Sequence, residues 1–316
     1  MTSTAHSRIV VLNYNGRALL EKCLPSIVAA SKHAKNQCLV TILDNCSVDD
    51  SRQWVSRNFP DVEWVQTKAN KILCSYNDYA VGLTEPYLIF LNNDISVEPD
   101  FIDPLLEPLE QDPAVFFSAP QVYQMDTREY EGSLSKLHLR FGLIWGDARF
   151  PGYKNKINQP ANTMQTGFGA FRREYFLHLG GYDDLYLPGT VEDADLCFRA
   201  YRQGWLGRYV PSSVVYHIGQ ASFKKEFGSK KLRRMNRRNL YLFMWKNIHD
   251  PLYLLIHFLS IPIHLFKYLI MGEWEFIGGF FDACRLWREA VKRRASLVKR
   301  GDGISDRKIF SMSKAI

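Results

Sequence analysis

The stretch Tyr87-Leu-Ile-Phe-Leu-Asn-Asn-Asp-Ile-Ser-Val97 carries five mostly apolar residues straight into two amides and a carboxylate. A short continuous apolar run reads as a strand covered on both faces, which belongs to the parallel sheets of α/β proteins. In such sheets ligands sit outside the carboxyl ends of the strands, so Asp94 is the first residue to suspect of chemistry. An Asx turn closing the strand accounts for the same residues and stays open at this point.

Upstream, strands and helices alternate. Arg8 to Asn15 reads as a strand turning polar at its end, and Gly16 opens a helix carrying Leu19, Leu20, Cys23, Leu24 and Ile27 at helical spacing. Leu39 to Leu43 is the next strand. It ends in Asp44-Asn-Cys-Ser47, where Ser47 and Asp50 have capping-box spacing for a helix through Trp54. Val62 to Gln66 makes a third strand. The alternation predicts a parallel, Rossmann-like sheet over residues 1–100, with Asn13, Asn15, Asp44, Asn45, Asn92, Asn93 and Asp94 converging at one edge. Such a cluster suits a nucleotide. The first strand is not followed by Gly-x-Gly-x-x-Gly, and no Gly-Lys-Ser/Thr loop occurs, which argues against a dinucleotide site and a phosphate loop.

Downstream, Pro99, Pro104, Pro108, Pro113 and Pro120 break up a helix and a strand over Val115 to Ser118. Gln124 to Pro160 reads as loops with a short hairpin over the site. Thr166-Gly-Phe-Gly-Ala-Phe-Arg-Arg173 returns to a strand whose glycines, Gly167 and Gly169, permit close backbone approach. Val191, Leu196 and Ala200 then mark a helix ended by Gly204, ahead of Trp205, and Glu192, Asp193 and Asp195 crowd its first turn. Acidic residues favour helix N-termini, Thr190 with Asp193 has capping-box spacing, and Asp195 with Arg199 is an i,i+4 ion pair; these are structural explanations. Two adjacent carboxylates beside a glycine-rich strand also provide a general base and a partner to raise its pKa.

The six cysteines are scattered without a Cys-x-x-Cys pair, which points to reduced thiols in a cytosolic protein rather than a zinc or redox site. Met1 to Arg8 is polar, so a signal peptide is not expected there. The net charge of +7 is unevenly spread: 20 Lys and Arg against 8 Asp and Glu from Ser222 onward, 20 against 25 before it. An acidic partner for the last third is expected.

Taken together, the chain resembles the family 2 inverting glycosyltransferases of GT-A fold, in particular the rhamnosyltransferase-like subgroup of bacterial surface-polysaccharide synthesis. The resemblance covers about residues 8–247 and rests on six ordered motifs: Val10 to Gly16, Asp44 to Ser51, Asn92 to Asp94, Gly167 to Arg173, Glu192 to Cys197, and Val215 to His217. It implies a GT-A α/β domain with a nucleotide-sugar-binding half over 1–100, an acceptor and catalytic half over 101–221, and a C-terminal helical extension over 222–316. Asp44 would contact the base, with Asn13 or Asn15 lining the nucleotide pocket. Asn45, Asn70, Asn77, Asn92 and Asn93 join the donor side, and Gly167, Gly169 and Trp205 the acceptor side. Asp94 holds the last position of the family's Asp-x-Asp signature and would bind Mg²⁺ or Mn²⁺, with His217 completing the site. Asp193 would act as base, oriented by Glu192. The glycine-rich stretch common in the family is replaced by Asn70-Lys-Ile-Leu-Cys-Ser-Tyr-Asn-Asp78, which keeps Asn70 and Asn77 and leaves the sugar open. The implied donor is linked to deoxythymidine or uridine diphosphate, with rhamnose as the subgroup's sugar. The acceptor is a saccharide hydroxyl on an oligosaccharide or lipid-linked glycan.

The tail has its own pattern. Ser222 to Arg238 carries eight Lys or Arg and one Glu. Leu252 to Ile270 is apolar apart from a narrow stripe of His257, Ser260, His264 and Lys267, and its longest apolar run falls short of a bilayer span. Phe280, Cys284, Trp287, Val291 and Val298 make one helix face, opposed by Arg285, Arg288, Lys292, Arg293 and Lys299. This predicts peripheral association of residues 222–300 with an anionic membrane at its cytoplasmic face, while a helical pair on the catalytic domain or in a homo-oligomer is compatible with it. A chain ending near Lys246 is expected to stay soluble and bind nucleotide. Nucleic acid is excluded as a partner by the apolar tail face, and the remaining alternative is a non-catalytic nucleotide-sugar-binding subunit of an assembly complex.

Overall fold

The computed structural model describes residues 5–219, 221–298 and 303–316, without the side chains of 221–227 and 297–298; Lys299 and the side chains of Lys224, Lys225 and Val298 lie outside it. The first half runs β1 (Ser7–Asn13), α1 (Arg17–His33), β2 (Cys38–Asp44), α2 (Ser51–Asn58), β3 (Glu63–Gln66), α3 (Ser75–Val81), β4 (Tyr87–Asn92), β5 (Ile95–Val97), α4 (Ile102–Gln111) and β6 (Val115–Gln124). There follow β7 (Tyr130–Gly132), β8 (Lys136–Arg140), β9 (Leu143–Asp147), β10 (Ala161–Asn162), β11 (Gly169–Arg172), α5 (Arg173–Leu179), α6 (Glu192–Arg202) and β12 (Leu206–His217). Among the described residues the chain closes with α7 (Ala221–Asn247), broken at Gly228 where φ is 69°, then α8 (Pro251–Ile270), α9 (Trp274–Arg285), α10 (Trp287–Val298) and α11 (Asp306–Lys314).

The sheet order is β3-β2-β1-β4-β11-β6-β12-β10. β1 to β4 are parallel, β6 and β12 are parallel, and β11 runs antiparallel between β4 and β6. The strand alternation works as its period demands. Val10, Leu12, Leu88 and Phe90 point into one buried cluster, while Ile9, Val11, Ile89 and Leu91 point into the other, beneath α1 and α4. Register then aligns the polar strand ends: Asn13 lies opposite Asp44, and Leu12 opposite Asn92.

Two local expectations are corrected. Ser47 does not cap α2, whose N-cap is Asp50; its hydroxyl instead donates to Asp44 Oδ1 at 2.5 Å. Pro120 does not end its strand, because it sits where the β6–β12 ladder shifts register between Val210 and Val214, so β6 continues to Gln124.

The C-terminal helices share the core of the sheet. Leu240 to Trp245, Ile248, Phe276, Ala283, Ile309, Phe310 and Ile316 belong to the same buried cluster as Val10 and Phe90. Leu137 N donates to Ser313 Oγ at 2.8 Å. Truncation near Lys246 would therefore uncover an interior face, against the expectation of a soluble shortened chain.

The polar stripe of α8 faces the protein. His257 is fully buried, accepts from Trp245 Nε1 at 2.8 Å and bonds the Gly142 carbonyl at 2.6 Å, while His264 bonds the Phe141 carbonyl at 2.7 Å. Burial pushes the His257 pKa down to about 4, so the ring that fills this contact is neutral. The apolar face points outward, with Leu259, Ile263, Phe266 and Ile270 each more than 60% exposed. By length and composition alone α8 could cross a bilayer, which the sequence reading did not credit. Its two histidine contacts, two turns apart, strap it lengthwise to the hairpin of β8 and β9.

Candidate active site

A cleft of about 660 Å³ opens at the carboxyl ends of β1, β2 and β4, lined among others by Asn13, Asn45, Asn92, Asp94, Glu192, Asp193 and His217. Asn13 is its buried anchor. Its amide donates to Asp44 Oδ1 at 2.9 Å, and its oxygen accepts from Asn93 Nδ2 at 2.8 Å. Asp44 also receives Ser47 N at 2.9 Å, so it is engaged beneath the cleft and orients Asn13 from below. A Cβ at position 16 would overlap the Asn93 amide, which explains the glycine after β1. Asn15, held with φ 46°, accepts from Val48 N at 2.8 Å. Asn45 accepts from Ser75 Oγ at 2.5 Å, and Asn70 accepts from Ile72 N at 3.0 Å. Tyr14, Ile72 and Leu73 add apolar wall between these amides.

Asp94 and His217 meet because β5 pairs antiparallel with β12, setting His217 opposite Ile95. His217 Nε2 lies 3.4 Å from Asp94 Oδ2, and Nδ1 lies 2.9 Å from Glu131 Oε1 on β7. Burial acts to lower the His217 pKa, but the bonds to Asp94 and Glu131 outweigh it and lift it to about 9. Asp94 Oδ1 is buried and unpartnered. A buried orphan carboxylate oxygen beside a histidine whose other nitrogen is fixed by a carboxylate suits a divalent cation, which would displace the proton that Asp94 and Glu131 otherwise hold on the ring. Among the described residues no three His, Cys, Asp or Glu side chains form a ready-made cage, so such a cation would need oxygens from a ligand or water.

Across the cleft, the turn before α6 delivers the other two carboxylates. Thr190 and Val191 both adopt left-handed backbone, with φ 68° and 75°, where β-branched residues are strained at a cost of about 1–3 kcal/mol each. The N-cap is therefore Val191, without a side-chain cap, and the Thr190 capping box is not formed. Asn239 of α7 holds the turn instead: its fully buried amide donates to the carbonyls of Tyr186, Gly189 and Thr190 at 2.9, 2.6 and 2.8 Å. Glu192 is 7% exposed, with Oε2 unpartnered. Burial, then the neighbouring Asp193 charge, raises its pKa to about 8, and burial raises that of Asp193 too. Asp195 behaves oppositely. It is buried, but Lys246 at 2.6 Å and Arg199 at 2.7 Å outweigh that burial and hold it ionised below the usual range. The expected Asp195–Arg199 pair is thus present, as one part of a larger buried cluster.

Not every expected residue reaches the cleft. Asn77 joins α3 to Tyr182, donating to its carbonyl at 2.7 Å and accepting from its nitrogen at 2.9 Å. Trp205 stacks on Tyr175 at 3.9 Å. Gly169, at φ 151°, is where a Cβ would strike the Ser118 carbonyl, so it serves strand pairing, whereas Gly167 lines the cleft near Asp193. Sequence reasoning missed Tyr14, Glu131, Arg233, Asn236 and Arg237. Tyr14 stands between Asn13 and Asn15, and in sequence the two arginines read only as part of the basic tail. Glu131 sits in a short strand without a pattern to mark it.

A parallel-strand nucleotide fold whose strand-end cleft sets a carboxylate and imidazole against a second pair of carboxylates defines a glycosyltransferase of GT-A type. The chain belongs to glycosyl transferase family 2, whose sequence pattern matches residues 8–180. It is 26% identical over 235 residues to an N-acetylglucosaminyl-diphospho-decaprenol L-rhamnosyltransferase of Mycobacterium tuberculosis, covering 66% of this chain and 75% of that protein. The fold resembles GalNAc-T7 solved with UDP, GalNAc and Mn²⁺ (TM-score 0.59, 17% identity, 80% of this chain and 49% of that one). It also resembles TarS residues 1–349 of S. aureus solved with UDP-GlcNAc (TM-score 0.57, 12% identity, 98% and 91%).

Proposed function

We propose that this enzyme moves a sugar, with rhamnose as the first candidate, from a nucleoside-diphosphate donor to a saccharide hydroxyl on a lipid-linked acceptor, inverting the anomeric carbon. The observation that carries the reading is the placement of Asp193 and Asp94 in one cleft, Asp193 next to Glu192 and Asp94 next to His217. The amide floor of Asn13, Asn45, Asn92 and Asn93 offers donors and acceptors for the nucleotide, and Tyr14 offers a face for the base. Asp193 takes the proton of the acceptor hydroxyl as that oxygen bonds the anomeric carbon and the bond to the diphosphate breaks. Its raised pKa, caused by burial, improves its fit to that task. Glu192, uncharged up to about pH 8, stands beside it without adding a second negative charge at neutral pH.

Asp94 and His217 would hold Mg²⁺ or Mn²⁺, which when bound neutralises charge on the departing diphosphate. The family, together with the Mn²⁺ in the GalNAc-T7 crystal, supports this reading. The outward apolar face of α8 supports a peripheral position at the cytoplasmic membrane surface, where a lipid-linked acceptor presents its hydroxyl. The relative acting on a diphospho-decaprenol acceptor supports the same location.

A panel of nucleotide-sugars with Mn²⁺ or Mg²⁺, read by donor hydrolysis and thermal shift, tests the donor side. On the positive donor, Asp193→Asn is expected to keep binding and lose transfer by about 100-fold or more. Near-full transfer by that variant would remove Asp193 as the base.

A further inference from the structure

Five of the basic residues of α7, from Arg233 to Lys246, divide into two groups. Arg234 is paired with Asp282 at 2.5 and 2.8 Å, Arg238 donates to the carbonyls of Tyr186 and Leu187, and Lys246 is bound to Asp195. Those three groups are engaged by partners within the chain. Arg233 and Arg237 line the cleft instead. Spaced i,i+4, they share a helix face, where like charges repel unless an anion lies between them. Arg233 is half-exposed, and its one carboxylate neighbour among the described residues is Glu275 at 3.5 Å. Arg237 has no carboxylate partner among the described residues; its guanidinium lies 4.9 Å from the centre of the Phe276 ring and 5.5 Å from that of Trp145. Stacking of this kind fixes a guanidinium while leaving its N–H edge free for a bidentate anion.

The position of the pair matters as much as its charge. Phe276 belongs to α9, and it stacks on Tyr268 of α8 at 3.7 Å. Arg237 therefore stands where the cleft meets α8 and α9, against Tyr268 and Phe276, on helices whose Phe266, Ile270 and Trp274 are exposed. The glycines of α9 permit this closeness, since a Cβ at Gly279 would meet the Arg237 Cβ at 2.8 Å. From Asp193 outward, the wall thus changes from carboxylate to guanidinium to hydrocarbon.

We infer that Arg233 and Arg237 bind the diphosphate of a polyisoprenyl-diphosphate-linked acceptor, with its sugar toward Asp193 and its chain along the exposed face of α8 and α9. This rests on the lipid-linked acceptor proposed above. It assigns the acceptor's diphosphate to α7 and leaves the donor's to the strand-end side of the cleft.

The test uses the full chain and two matched acceptors: a farnesyl-diphosphate-linked saccharide and the same saccharide as an alkyl glycoside without the diphosphate. For Arg237→Gln and Arg233→Gln, KM for the diphosphate acceptor should rise about tenfold or more, while donor KM, donor hydrolysis and turnover of the alkyl glycoside stay within about twofold. Arg237→Lys, which keeps the charge, should recover part of the loss. The exposed Arg233 carries the test if Arg237→Gln does not fold. Unchanged KM for the diphosphate acceptor would overturn the assignment, and so would a rise in donor KM, which would place the pair on the donor's phosphates. A wild-type chain using both acceptors with equal KM would overturn the lipid-diphosphate reading itself, which keeps the two failures apart.

Discussion

Glu192→Gln isolates the consequence of burying a carboxyl beside another carboxylate. The folded chain holds the Glu192 proton up to about pH 8, whereas an ordinary glutamate releases it near 4.5. Between those values the native state binds more protons than the unfolded one, so this residue's contribution to stability is present at low pH and falls as pH rises. At about 1.36 kcal/mol per pH unit, the loss between pH 5 and pH 9 comes to about 4 kcal/mol. Gln occupies the same volume without a titrating proton and removes that dependence. For a chain of 316 residues this corresponds to about 6 °C in Tm. The assay is differential scanning calorimetry from pH 5 to pH 9 at constant ionic strength. Wild type and variant should melt within a degree or two of each other near pH 5, and the variant should melt higher near pH 9. A Tm difference that does not change with pH would refute the reasoning, because it would show that packing, not protonation, separates the two side chains.

Two further outcomes follow from the site and the surface. Asp94→Asn should abolish metal-dependent donor binding, measured by calorimetric titration of the nucleotide with Mn²⁺, while Tm falls by about 1–4 °C, since the charge pair of Oδ2 with His217 is lost but Oδ1 has no protein partner to lose. Donor affinity that remains metal-dependent would remove Asp94 from the cation site. Ile263→Asp and Phe266→Asp, on the exposed face of α8, should reduce co-sedimentation with anionic vesicles by about tenfold each and leave Tm near wild type; undiminished sedimentation would place the membrane contact elsewhere.

The parallel half of the fold was legible because each of its strands writes its own pattern: an apolar run for two buried faces, then polar residues where the sheet ends. Asp94, His217, Glu192 and Asp193 were legible through ordered motifs. Their environment was not. Glu131 reaches His217 only because β7 returns beside β6, and nothing local in Tyr130 to Gly132 announces that. Asn77 and Trp205 lie in recognisable stretches, but their side chains turn to Tyr182 and Tyr175, a choice made by packing rather than by spacing. The stripe on α8 was read correctly as a stripe, yet its direction depended on the Phe141–Gly142 turn, far away in sequence, offering carbonyls to His257 and His264.

The same long-range contacts change what the basic C-terminal third is for. A tail that only attracted a membrane could be removed without touching the chemistry. Here α7 supplies Asn239, whose two amide N–H groups are shared among three turn carbonyls and contribute about 1 kcal/mol each against the strain of the Thr190–Val191 turn that aims Glu192 and Asp193. It also supplies Lys246, which shares the buried Asp195 with Arg199 two residues from Asp193; removing one partner from such a buried cluster costs about 3–5 kcal/mol. The helix that carries Arg233 and Arg237 on one face is thus the helix that holds the candidate base in place on another. On the acceptor assignment proposed above, a lipid-linked acceptor on the apolar surface of α8 and α9 would meet α7 before Asp193, so acceptor binding and the geometry of the candidate base would both depend on the segment of α7 after Gly228.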